Sequence, residues 1–105
     1  MISKYKVIIN QSKGWNLMEK RIGSILIKAG KGANTNKINS VLSEFSSIII
    51  SRQGIPNKDR GFSLISVIFE ATTDEAGALS GKLGRIKGVF VRSLLLKDEE
   101  NDNGI

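Results

Sequence analysis

Two arginines, Arg52 and Arg60, in the stretch SRQGIPNKDRGFS between Ser51 and Ser63 could equally hold an anion, a partner carboxylate or only water. Each presents a planar fork of donors that matches carboxylates and phosphates. Between them stand Gly54 and Pro56, the chain's one proline, and Gly61 follows directly. A second candidate is GKGANTN, where Gly30, Gly32, Asn34 and Thr35 open a helix and could turn backbone amides toward a small anion. That stretch lacks the length and the following Lys-Ser/Thr of a P-loop, and a tight turn is its simpler meaning. Catalysis finds little support. With no cysteine and no histidine, the chain has no thiol nucleophile, no usual triad base and no zinc site of the Cys/His type. No carboxylate pair is placed for acid–base work and no spacing matches a calcium loop. A non-enzyme without cofactor or metal is expected.

The elements that must position these residues are legible from periodicity. RIGSILIKA reads as a first strand. Ile38, Val41, Leu42 and Phe45 recur at i, i+3, i+4, i+7, one face of a helix that starts near Asn34 or Thr35. SSIIISR is the second strand and GFSLISVIFEA the third, with GIPNKDRG as the hairpin between them. Pro56 ends the second strand for want of an amide hydrogen, and Gly61 supplies the left-handed backbone of a bulged hairpin. TTDEAGALSGKLGRIKG is a second helix with Thr73 as N-cap and Gly88 as its stop; VFVRSLLLK is the last strand. The order β-α-β-β-α-β in so short a chain is the α+β ferredoxin-like arrangement: a four-stranded antiparallel sheet with both helices on one face.

Two surfaces ask for a partner. The strands are apolar on both sides, with Leu64 and Ile68 on one face of the third and Ile65, Val67 and Phe69 on the other. An open sheet face should be polar, so it is expected to be covered by another copy, with residues 1–17 as the alternative cover. On the second helix Ala76, Leu79, Leu83 and Ile86 form an apolar stripe, and Gly77, Gly81 and Gly84 form another nearly opposite. Glycine costs a helix about 0.8–1.0 kcal/mol relative to alanine. Close approach of a partner backbone or ligand would give the three glycines a reason; tolerance on an exposed face is the bland alternative.

RGFSLISV, Arg60 to Val67, partly matches an RNA-recognition signature. Phe62 occupies a stacking position, but Leu64 replaces the second aromatic and IGSILI offers none, which sets the match against RNA binding. The formal charge is +6, and without residues 98–105 sixteen basic residues face six acidic ones. The cations are dispersed, as on a solvated surface. No apolar run approaches the roughly 20 residues of a membrane span, and a cytoplasmic protein is expected. Residues 1–17 read as an appendage or as a start assigned too far upstream, residues 18–97 as the domain, and KDEENDNGI as leading into a mobile acidic tail over 98–105.

The stretches MEKRIGSILI, INSVLSEFSSIIISRQGIP and DRGFSLISVIFEATTDEAGALSGKLGRIKGVFVRS together resemble the small ACT-like regulators of iron-only hydrogenase systems. The likeness covers Met18 to about Lys97. Its most specific pieces are Arg52-x-Gly54-Ile55-Pro56 with Gly61, and TTDEAGALSGKLGRIKGV; Lys87 stands where many relatives carry proline. The resemblance implies a ferredoxin-like ACT fold, self-association and regulation rather than catalysis. It implies a small effector bound near the first strand–helix turn at a subunit interface, over Gly30, Gly32, Asn34, Thr35, Arg52 and Gly54. Arg60, Gly77, Gly81 and Gly84 are the candidate contacts to a partner or anion, and a hydrogenase-associated protein is a further candidate partner. A pure assembly module without ligand is the competing reading.

Overall fold

The computed structural model describes residues 18–56 and 59–97. The expectations for residues 1–17, for the turn residues Asn57 and Lys58, and for the acidic stretch 98–105 fall outside them. The order is β1 (Arg21–Gly30), α1 (Thr35–Glu44), β2 (Ile49–Ile55), β3 (Phe62–Ala71), α2 (Thr73–Gly84) and β4 (Val89–Leu95). The sheet runs β2-β3-β1-β4 and every neighbouring pair is antiparallel. This is the ferredoxin-like split βαβ arrangement.

Alternation decides which side of each strand is buried. Along β1, Gly23, Ile25, Ile27 and Ala29 are buried while Ile22, Leu26 and Lys28 are exposed. Val67, Phe69 and Ala71 of β3 and Val89 of β4 join the buried side. Ile38 and Leu42 from α1, with Ala76, Leu79 and Leu83 from α2, close the core over it. Burying each large side chain is worth about 1.5–3 kcal/mol.

The helix ends follow from local chemistry. Asn34 caps α1, its Oδ1 accepting from the Lys37 amide at 3.2 Å. Thr72, not Thr73, caps α2. Its hydroxyl accepts from the Glu75 amide at 3.2 Å, and the Glu75 carboxylate accepts from the Thr72 amide at 2.9 Å. This reciprocal box satisfies two otherwise orphaned donors, and only Thr72 stands three residues before a Glu. Helix α2 stops at Gly84, short of the expected Gly88, with Arg85 as its C-cap. Gly88 instead turns the chain into β4 with φ +82°. Strand β2 begins at Ile49 rather than Ser46, because Ser46 to Ile48 form the turn that follows α1. A register irregularity between Ile49 and Ser51 then bends the strand.

Candidate functional site

The β1–α1 turn is tight. The Gly30 amide donates to the Gly88 carbonyl at 2.9 Å, and the Ala33 amide donates to the Gly30 carbonyl at 3.0 Å. A Cβ on Gly30 would stand 3.3 Å from the Gly88 carbonyl oxygen, so backbone contact within the chain accounts for that glycine. Beyond its chain neighbours, none of the described residues lies within 4 Å of where a Cβ on Gly32 would be. Asn34 and Thr35 stand at the start of α1, where Asn34 spends its side chain on the cap.

Arg52 lies elsewhere. It pairs with Val67 in the middle of the β2–β3 ladder, and its guanidinium donates to Asn39 Oδ1 on α1 at 3.0 Å. The bond ties an edge strand to the outer side of the helix. Gly54, opposite Ile65, has open space where a side chain would be. Arg52 and Gly54 therefore flank α1, and Gly30 and Gly32 precede it, so the six effector candidates surround one helix without converging on a single point.

The partner candidates separate further. Arg60 lies next to Gly61, whose φ of +77° confirms the left-handed hairpin position. Gly77 and Gly81 lie on α2; a Cβ on Gly77 would meet nothing within 4 Å, and one on Gly81 would come no closer than 3.6 Å, to Arg85 Nη2. A Cβ on Gly84 would meet Val91 of β4 at 3.6 Å. The hairpin belongs to the β2 side of the sheet and the glycine stripe to the β4 side, so they form two surfaces rather than one.

Sequence reasoning passed over one feature and gave only part of another. Gly23 is buried in β1, and a Cβ there would lie 2.6 Å from the Leu94 carbonyl oxygen and 2.7 Å from Phe69 Cζ. The missing side chain makes room for the fully buried Phe69 ring. A lone glycine inside a strand is the signal that could have found it. The second is the extent of the open sheet face. The ladders place Ile22, Leu26, Leu64, Ile68, Phe90 and Leu94 there, away from the helices. Phe90, Leu94 and Leu26 are 66%, 60% and 51% exposed. Ser24 and Ser66 lie between them, Arg92 is paired with Leu26, and the Lys28 ammonium sits 4.6 Å from the Phe62 ring centroid. The one aromatic of the RNA-recognition match is thus already engaged by a cation.

The described residues hold no group of three or more His, Cys, Asp or Glu that could bind a metal. No helix among them is long and apolar enough to cross a membrane. Fold and site together define a ferredoxin-like α+β module with one sheet face that no described element covers. Over residues 20–93 the chain matches the TM1266-like family, described as "Iron-only hydrogenase system regulator, putative". Among solved structures it is similar to the uncharacterized protein TM1266 from Thermotoga maritima, at 35% identity and a TM-score of 0.72. That similarity covers 75% of this chain and 100% of TM1266. The comparison with curated proteins gives no match. The chain belongs to the TM1266-like family of hydrogenase-system regulators.

Proposed function

We propose that this chain is a non-catalytic regulatory module that self-associates through its open sheet face and senses a small effector where subunits meet. The observation that carries the reading is the exposure of Leu26, Phe90 and Leu94 on the side of the sheet opposite the helices, interspersed with Ser24, Ser66 and Arg92. Large apolar side chains gathered on one face favour a contact surface, since leaving them wet forgoes their burial energy. Of the effector candidates, Arg52 beside α1 supports the reading, its guanidinium oriented by Asn39, while the β1–α1 turn lies apart at the start of the helix.

The test joins light scattering of the full chain with thermal unfolding against amino acids, nucleotides, S-adenosylmethionine and short RNA. An oligomer that Leu26→Glu dissolves is the expected result; a wild-type monomer would end the open-face reading. A ligand at about 100 times its Kd stabilises the folded state by about 2.7 kcal/mol. Such a shift, lost in Arg52→Ala, would establish sensing. A stable oligomer with no shift would favour a protein-binding scaffold, and a shift with RNA alone would replace both.

A further inference from the structure

The charges of the domain are unevenly placed. The β1–α1 turn, the β2–β3 hairpin and the α2–β4 link meet at one end of the sheet, where Gly30 pairs with Phe62 and bonds to Gly88. Around that end Lys28, Lys31, Lys37, Arg60 and Lys87 are all exposed, against one acid, Asp59. Elsewhere among the described residues seven cations stand against five acids. The positive surplus is concentrated at the end where three connections converge.

The sequence also carries a concentrated negative stretch, Asp98, Glu99, Glu100 and Asp102. Strand β4 leads away from the basic end. Val89 pairs with Ala29 there, and Leu95 pairs with Gly23 near the opposite end. The seven residues of β4 cover about 23 Å. From Lys97 to Asp102 the backbone spans at most about 18 Å at full stretch. Measured along β4, the backbone of a copy's own acidic segment stops about 5 Å short of Val89, and Lys31 and Lys87 lie beyond that level.

We propose that the acidic segment of one copy docks on the basic end of a neighbouring copy, with Lys31 and Lys87 as its central contacts. Both lysines flank the Gly30–Gly88 hydrogen bond, so a fixed piece of backbone presents them together. The contact is head-to-tail. Repeated, it builds chains or rings rather than a closed pair. Its central contacts, Lys31 and Lys87, lie outside the sheet ladders, so it stands apart from the open-face association.

The experiment is light scattering of the full chain at about 0.01 M and about 1 M salt, between which the Debye length falls from about 30 Å to about 3 Å. Three proteins are compared: wild type, Asp98→Asn/Glu99→Gln/Glu100→Gln/Asp102→Asn, and Lys31→Glu/Lys87→Glu. The mean mass of the wild type should rise at low salt and keep rising with protein concentration past that of a pair, as a head-to-tail contact requires. Each variant alone should lose the rise. Their equimolar mixture should recover part of it, because one supplies the basic end and the other the acids. Circular dichroism confirms that the variants fold, and Lys31→Gln/Lys87→Gln replaces the double reversal if it does not. Absence of the low-salt rise in the wild type, or its survival in either variant, overturns the proposal. Loss on neutralising the acids alone would assign them to other cations, such as Lys4, Lys6 and Lys13, and overturn it too. Leu26→Glu should lower the mass at both salts and leave the salt-dependent increment in place, which separates failure of this contact from failure of the open-face reading.

Discussion

Gly23 and Phe69 share a volume that only one side chain can fill. Gly23→Ala would put a methyl group 2.6 Å from a carbonyl oxygen and 2.7 Å from the ring. Both neighbours are held, one by the β1–β4 ladder and one by the core, so neither can move cheaply. Overpacking of this kind costs about 1–3 kcal/mol, and urea unfolding should show a midpoint lowered accordingly. Gly77 is the opposite case. Outside its own helix turn, none of the described residues lies within 4 Å of its added Cβ, so Gly77→Ala removes a helix penalty of about 0.8–1.0 kcal/mol without a clash. A raised unfolding midpoint is expected. If the substitution also lowers the assembled mass, the glycine stripe is a contact surface and not a tolerated economy.

At the scale of the elements, the capping box of α2 is the clearest local commitment. Thr72→Ala removes the hydroxyl that accepts from the Glu75 amide and frees the Glu75 carboxylate from its reciprocal role. A loss of about 1 kcal/mol is expected by thermal or urea unfolding. Glu75→Ala should reproduce part of it, because the two bonds close one ring of contacts. Lys82 gives the helices a different link: its ammonium pairs with Glu44 and lies 5.7 Å from the Phe45 ring centroid. Element order, sheet class and the two faces of β3 were legible because period-2 and period-3.6 patterns report burial directly. The N-cap moved by one residue because Thr72 and Thr73 look alike until the partner carboxylate is located. The start of β2 moved because Ser46 to Ile48 run into the isoleucines of the strand without a break, yet are needed to turn the chain out of α1. The candidate site was the least legible part. Arg52 is separated from Gly30 by a helix, and no sequence spacing encodes that distance. Its bond to Asn39 depends on which side of an edge strand it occupies, which the β2 irregularity resets.

For the whole molecule, the two proposed contacts should answer salt in opposite ways. Burial of Leu26, Phe90 and Leu94 is apolar, and sulfate strengthens apolar burial by its exclusion from protein surface. The contact between acids and the basic end is screened by any salt. Sulfate titration followed by light scattering would therefore show electrostatic assembly fading as the apolar association gains. A single monotonic trend would mean that only one contact exists. The TM1266-like family, to which the chain belongs, is described as a regulator of iron-only hydrogenase systems, and the proposed contacts are the surfaces on which such regulation would act.

The pairing of β1 with β4 sets the order in which the protein can be made. Central strand β1 takes β3 on one side and β4 on the other, with Ile25 opposite both Val67 and Ser93. During synthesis its second edge must wait for the last strand to leave the ribosome. Until then the nascent chain exposes the backbone donors and acceptors of Ile25 to Ala29 with no ladder to join, the condition under which strands recruit the wrong partner. A ribosome stalled with Val89 to Leu95 still inside it would hold the chain in that unfinished state, and emergence of those seven residues would complete the sheet.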